Sequence, residues 1–204
     1  MPRVSRAHVA SRRRQILDAA WACFARKGFH ATTMPEICRQ AGLSTGAVYS
    51  YFRSKERIIE EGAREALAST LESMGEPPPG VPAVEALQAL LERFLLALGE
   101  AGMRDRIRAD VALWGEAVSH PRVSGVLAGN VRDLRSRLVR LVRRAQTEGG
   151  LSPALEPGAV SRVILALYLG AALQSLVDPG LSPREYAQAV RTFCFAPTPR
   201  ARRG

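Results

Sequence analysis

The sequence predicts an all-α chain, in which an N-terminal three-helix unit is joined by a fourth helix to a larger helical domain. Three observations predict it. Apolar residues recur at helical spacing almost everywhere, while no segment alternates with period two and no Asn-Gly or Asp-Gly hairpin signal occurs. Gly28, Gly42, the stretch 76–82, Gly102, Pro121, Gly149-Gly150, Pro157 and Pro179-Gly180 punctuate the periodic segments. The 204 residues are 47% hydrophobic, enough to bury a sizeable core without disulfides or metal.

From Arg12 to Lys27, Ile16, Ala20, Cys23 and Phe24 share one face, and Gly28 supplies a C-terminal stop. Thr33-Met34-Pro35-Glu36 reads as a capping box. In it the Thr33 hydroxyl is expected to accept the Glu36 amide, and Pro35 sits in the first turn, where no donor is missed. Met34, Ile37, Cys38 and Ala41 follow at i, i+3, i+4, i+7. Gly42 ends this short helix, Leu43 anchors the turn and Ser44 caps the next. That third helix carries Val48 and Phe52 and breaks near Arg53. Ser54 opens a fourth helix running to about Met74. EPPPGVP, residues 76–82, ends any helix and reads as a linker and domain boundary. Five more helices are predicted over 83–100, 103–118, 122–148, 157–177 and 183–195, the last opened by a second capping box, Ser182-Pro183-Arg184-Glu185. The expected division is a first domain over 10–70, a second over 83–196 and a disordered basic tail over 197–204.

Composition excludes several classes. Cys23, Cys38 and Cys194 are scattered and odd in number, which argues against a disulfide framework or a zinc site and for a reduced, cytoplasmic setting. MPRVSRAHVASRRR has charge but no apolar stretch, so no secretory leader is expected. The longest unbroken apolar run, Val163–Leu173, has eleven residues and reads as too short to span a bilayer, so no membrane partner is expected. The net charge of +10 is concentrated: residues 1–57 hold eleven Lys/Arg and three Asp/Glu, leaving eighteen and sixteen for the rest. A basic N-terminal unit on a near-neutral remainder points to an anionic partner at one end, with nucleic acid first among candidates.

Two short helices joined by Gly42-Leu43-Ser44 and packed on a preceding amphipathic helix describe a helix-turn-helix over about 34–53. The turn needs a residue free to take positive φ, which Gly42 provides. Small residues at the front of the second helix (Ser44, Thr45, Gly46, Ala47) let its backbone approach base edges. Thr32, Thr33, Tyr49, Tyr51 and Lys55 flank it as suitable phosphate donors. Arg3, Arg6 and the cluster Arg12-Arg13-Arg14 could extend the basic surface as an arm reaching backbone or minor groove, set against a merely disordered leader for the first ten residues.

The string FARKGFHATTMPEICRQAGLSTGAVYSYFRSKERII closely resembles the DNA-binding domain of the TetR family of bacterial transcriptional regulators. Phe24, Gly28-Phe29, Ala31-Thr32-Thr33, Ile37, Ala41-Gly42-Leu43-Ser44, Gly46, Tyr49, Tyr51-Phe52 and Ser54-Lys55-Glu56 carry the likeness over about sixty residues. Tyr51 stands where many members have histidine, and Pro35 is less usual. The resemblance implies a homodimer on double-stranded DNA with a pseudo-palindromic, inverted-repeat operator, and a small-molecule effector bound in the C-terminal domain. By resemblance Thr45, Gly46 and Ser50 face base edges, Tyr49 touches phosphate and base, and Thr33, Tyr51 and Lys55 contact phosphate.

The same resemblance places an effector pocket among the helices after the linker. Phe94, Leu98, Met103, Trp114, Val118 and Tyr168 are the candidate lining, apolar and aromatic enough for a mostly apolar ligand. Leu167, Gly170, Ala171 and Leu173, with Phe193, combine bulk with small residues as an association surface; in the family this region forms a four-helix bundle with the two-fold mate. Residues 132–144, with six arginines, read as a solvated face. Glu116 and His120 stand at i, i+4 like a metal pair, but no third ligand is nearby in sequence, so no metal and no cofactor are expected. An enzyme reading finds no Glu-x-x-His pair, no Gly-rich phosphate loop and only three histidines, at 8, 30 and 120. An architectural DNA-coating protein without effector control stays open as the alternative to a ligand-responsive regulator, usually a repressor.

Overall fold

The computed structural model describes residues 6–195; Arg3, the side chain of Arg6 and the tail 197–204 lie outside the described residues. Nine helices and no strand occur among the described residues: α1 (Arg6–Ala31), α2 (Met34–Ala41), α3 (Thr45–Tyr51), α4 (Lys55–Met74), α5 (Ala83–Ala97), α6 (Met103–Ser119), α7 (Pro121–Thr147), α8 (Pro157–Val177) and α9 (Pro183–Phe195). The all-α expectation holds, and most predicted boundaries fall within a few residues of those observed. Helix α1 begins six residues earlier than predicted, and Gly28 (φ 77°, ψ 169°) breaks its regular turn where the stop was expected. Helix α5 closes at Ala97, before the predicted residue 100, because Leu98, Gly99 and Glu100 donate to carbonyls only three residues back, which tightens the last turn.

The chain forms two compact units. The first takes the residues up to Ser73 together with Asp105–Asp133. Its core takes the inner faces predicted for α1 to α3, with Ile16, Ala20, Phe24, Met34, Ile37, Val48 and Phe52 buried, and adds Leu17, the α4 residues Ile58 and Ile59, Leu113 of α6 and Val123 of α7. Trp21 and Phe24 meet edge to face at 5.6 Å. Close approach of α1 and α4 requires Gly62, where a Cβ would stand 2.7 Å from the Trp21 Nε1. Asn130 of α7 donates to the Ala63 carbonyl of α4 at 2.9 Å.

The second unit takes Met74–Arg104 and the chain from Leu134 onward. In it α5 packs on α8 and α9, burying Leu87, Leu91, Leu95, Leu138, Val142, Ile164 and Val190. The Glu148 carboxylate caps α5 by accepting the Ala83 N–H at 2.5 Å. Ser182 caps α9 as predicted, its Oγ accepting the Glu185 N–H at 3.3 Å. Helix α8 corrects one expectation. Its unbroken apolar run is short, but the whole 21-residue helix, with Arg162 its one charge, is long and apolar enough by length and composition to cross a membrane. Only 22% of its most apolar window is buried. Val163, Leu173 and Val177 are exposed on it, as is Phe193 on α9.

Candidate nucleic-acid interface

The interface is built from α2, the turn and α3. Thr33 caps α2 by a variation on the predicted box. The Glu36 carboxylate accepts from both the Thr33 N–H (2.8 Å) and the Thr33 hydroxyl (2.9 Å). The Glu36 N–H turns instead to the Thr33 carbonyl at 3.1 Å. The carboxylate is the stronger acceptor, and it is held in place by the Lys27 ammonium, which pairs with it. Lys27 first, then Thr33, holds the Glu36 carboxyl down at about 2. Gly42 closes the helix in the left-handed region (φ 64°, ψ 29°), with the Gly42 and Leu43 N–H groups returning to Arg39 and Cys38 carbonyls. Ser44 then caps α3, its Oγ accepting the Ala47 N–H at 3.2 Å.

This local geometry fixes which way α3 faces. Val48 and Phe52 are buried, Gly46 and Ser50 lie on the opposite face, and Tyr49 and the first-turn residue Thr45 are exposed beside them. Tyr49 is 43% exposed, and a Cβ at Gly46 would meet nothing within 4 Å. Ser50 Oγ donates to the Ala47 carbonyl at 2.6 Å. Tyr51 is half-buried against the core.

Lys55 is placed differently from the phosphate role that resemblance implies for its side chain. Its ammonium donates to the Phe29 carbonyl (2.9 Å) and the Thr32 carbonyl (2.7 Å) and lies 4.3 Å from the centre of the Phe29 ring. The charge is thus directed inward, clamping the segment between α1 and α2 onto the start of α4. The arginine cluster of α1 is also committed within the unit rather than extended as an arm. Arg13 makes two bonds to the Glu61 carboxylate and stacks 4.9 Å over Phe52, and Arg14 reaches Asp18 at 3.6 Å and Glu65 at 3.5 Å. The reason is the acidic edge that α4 presents along α1. Gln15 adds a bond to the Ala41 carbonyl at 2.7 Å. These contacts hold the helix-turn-helix against α1 and α4. Apart from the one-turn pair Arg14–Asp18 they are long-range, and no spacing in the sequence announces them.

The remaining predicted sites divide between the units. Phe94 and Tyr168 meet edge to face at 5.9 Å in the second unit, where Leu98 is buried and Met103 half-buried. Trp114 and Val118 belong to the first unit and are exposed. A cavity of about 760 Å³ in the second unit is lined instead by Val81, Leu90 and Leu141 with Arg93, Arg137, Arg140 and Arg144 set against Glu76 and Glu85. Part of the arginine run read as a solvated face therefore borders a cavity. Ala171 is fully buried in its own unit and so is removed from the association surface, because α8 turns it inward; Leu167 and Gly170 are half-buried, and Leu173 and Phe193 are exposed. The structure also supplies a third partner that sequence spacing missed: His30, after the Gly28 break, joins Glu116 and His120.

Comparison with known proteins agrees with this geometry. Residues 16–61 match the family model described as bacterial regulatory proteins, tetR family, and residues 82–195 match the one described as BetI-type transcriptional repressor, C-terminal. The chain is similar to the HTH-type transcriptional regulator UidR of Escherichia coli (strain K12), 27% identical over 182 residues that cover 89% of this chain and 90% of that one. It is similar in structure to GusR of Salmonella enterica, with a TM-score of 0.78 and 27% identity over 93% of this chain and 95% of that one. A transcriptional regulator from Saccharomonospora viridis, solved in complex with choline, shares the fold at a TM-score of 0.77 and 22% identity, over 90% of this chain and 95% of that one.

Proposed function

This chain belongs to the tetR family of bacterial regulatory proteins, as a ligand-responsive DNA-binding regulator of transcription and not an enzyme; we propose that it is a cytoplasmic repressor, a homodimer released from a pseudo-palindromic operator by a small, mostly apolar molecule. Residues 10–70 read the operator, and residues 83–196 bind the effector and dimerise. The observation that carries the reading is the exposed surface of α3, where Thr45, Gly46, Tyr49 and Ser50 reach solvent while Val48 and Phe52 are buried. These four make the base contacts, with Ser44, Thr33 and Tyr51 on the backbone. Lys55 serves through the N-terminal end of α4, whose first-turn N–H groups favour an anion. Repression is supported by the BetI-type description of the C-terminal match. Dimerisation is supported by the exposed apolar side chains of α8 and α9, with Leu167, Gly170, Leu173 and Phe193 in the interface.

Selection of bound DNA from a random pool tests the reading. The expected product is an inverted repeat that sets two recognition helices roughly 34–36 Å apart. Tyr49→Ala should shift the preferred base at one position in each half-site, by about 1–3 kcal/mol. An unchanged site and affinity in that variant would overturn the placement of the recognition helix.

For the effector, Phe94, Leu98, Met103 and Tyr168 are the proposed contacts in the second unit. A second reading is favoured by the arginine-bordered cavity, which suits an apolar molecule carrying an anionic group. Operator release by neutral ligands, lost in Phe94→Ala, supports the first. Release by carboxylates, lost in Arg140→Ala, supports the second.

A further inference from the structure

His30, Glu116 and His120 come together inside the first unit, outside the surface that α3 presents. Two local features and one fold-level feature bring them there. Glu116 and His120 are one helical turn apart at the end of α6, where Pro121 stops the helix. His30 follows the Gly28 break, which turns the end of α1 out of its helical path. The packing of α6 and α7 into the core of α1 to α4 then closes the distance.

The chemistry of this cluster is unusual for a surface ion pair. The Glu116 side chain is only 1% exposed, and a carboxylate so buried must be compensated. Its Oε2 lies 3.1 Å from His30 Nε2. Its Oε1 pairs with His120 Nδ1 in a close contact that lacks hydrogen-bond alignment. The imidazole rings stand 5.4 Å apart, and Phe29 packs edge-on against both, at 5.9 and 6.2 Å. Two imidazole nitrogens therefore meet the two oxygens of one buried carboxylate beside an apolar ring. One ligand atom from each of the three residues lies within 4.8 Å of the others. A zinc-class ion bonded tetrahedrally at about 2.1 Å holds ligand atoms about 3.4 Å apart. The adjustment needed is up to about 1.4 Å, and the His30 side chain, 72% exposed, has solvent on most of its surface to move into.

We propose that His30 Nε2, His120 Nδ1 and the Glu116 carboxylate bind a divalent transition-metal ion of the zinc class. Nitrogen donors in two of three positions select zinc, nickel or cobalt over magnesium and calcium, which take oxygen ligands. Three protein ligands leave a fourth position for water or a small ligand. The ion replaces the misaligned contact of Glu116 Oε1 with His120 Nδ1 by a bond to each residue. It also ties the end of α1 to the α6–α7 junction, one residue from the Phe29 carbonyl that takes Lys55. The site does not depend on the operator reading.

The test is metal titration of the full chain after chelator stripping, with zinc(II) followed by competition against a chromophoric chelator and cobalt(II) followed by its visible absorption. One ion per chain and a nitrogen-containing tetrahedral cobalt spectrum are expected. His30→Ala removes a ligand from an exposed position without disturbing the core. It should weaken zinc binding by more than about 100-fold, beyond the roughly 10- to 100-fold that loss of an outer partner causes. His120→Ala should do the same, and His8→Ala should change nothing. Zinc should raise the thermal midpoint of the native chain and not that of His30→Ala. Equal zinc affinity in the native chain and His30→Ala, or no stoichiometric binding at micromolar metal, would overturn the proposal.

Discussion

Replacing Lys55 with methionine separates a structural clamp from a phosphate contact. Methionine keeps most of the apolar stem and removes the charge. The native ammonium makes two hydrogen bonds, at 2.9 and 2.7 Å, to carbonyls of Phe29 and Thr32, residues that are 6% and 0% exposed. A hydrogen bond to a charged group contributes roughly 1.5–3 kcal/mol. The Phe29 ring, 4.3 Å away, adds about 0.5–2 kcal/mol. Against these stands up to about 2 kcal/mol of lysine rotamer entropy, which methionine recovers only in part. The net expectation is a loss of at least about 2 kcal/mol of stability. Urea unfolding should show a lower midpoint at an unchanged slope. The dependence of operator affinity on salt should keep its native slope, because no counterion is released by a cation already bonded to carbonyls. A phosphate-bound ammonium predicts the reverse pattern: stability within about 0.5 kcal/mol of native and a log–log salt slope lowered by roughly 0.9. That pair of results would refute the clamp.

Gly62→Ala should destabilise the first unit. The methyl would stand 2.7–2.9 Å from three atoms of the Trp21 indole, and overpacking costs of about 1–3 kcal/mol exceed the roughly 1 kcal/mol gained in helix propensity. Trp21→Phe in the same chain should recover most of the loss by double-mutant cycle, and additivity would show that the two residues do not meet. Glu36, lowered to about 2 by Lys27 and Thr33, adds stability that is fully present above its ordinary value of 4.5 and is lost as pH falls through about 2. The stability difference between native chain and Glu36→Gln should therefore shrink across that window, and a pH-independent difference would show that its charge is not what matters. Leu173→Arg with Phe193→Glu should give monomers by light scattering with unchanged helicity, since both side chains are at least half exposed; an intact dimer would move the interface elsewhere.

The helical elements were legible in the sequence because their causes are local. The face Met34, Ile37, Cys38, Ala41, the left-handed Gly42 and the cap Ser44 each depend on neighbours within one or two turns, and each appears where the spacing put it. So does the outward face of α3, once Val48 and Phe52 are taken as its inner side. What one carboxylate accepts is less local: Thr33 and Glu36 were paired correctly, but Lys27 draws the carboxylate into the stronger role.

Tertiary structure alone decided where the charges went. Lys55, Arg13 and Arg14 have the composition of a DNA-facing surface, but their partners are carbonyls and carboxylates brought in by α1 packing on α4. Ala171 belonged to a plausible contact stripe until the packing of α8 turned it inward. The pair Glu116 and His120 was visible as a one-turn spacing, and it lacked a third ligand only along the chain. His30 reaches it through a glycine break and a helix packing, neither of which leaves a periodic signal. Local periodicity determines which residues face inward on each helix; which charged groups then meet is set by helix-to-helix registry, a property of the packed chain that no single segment encodes.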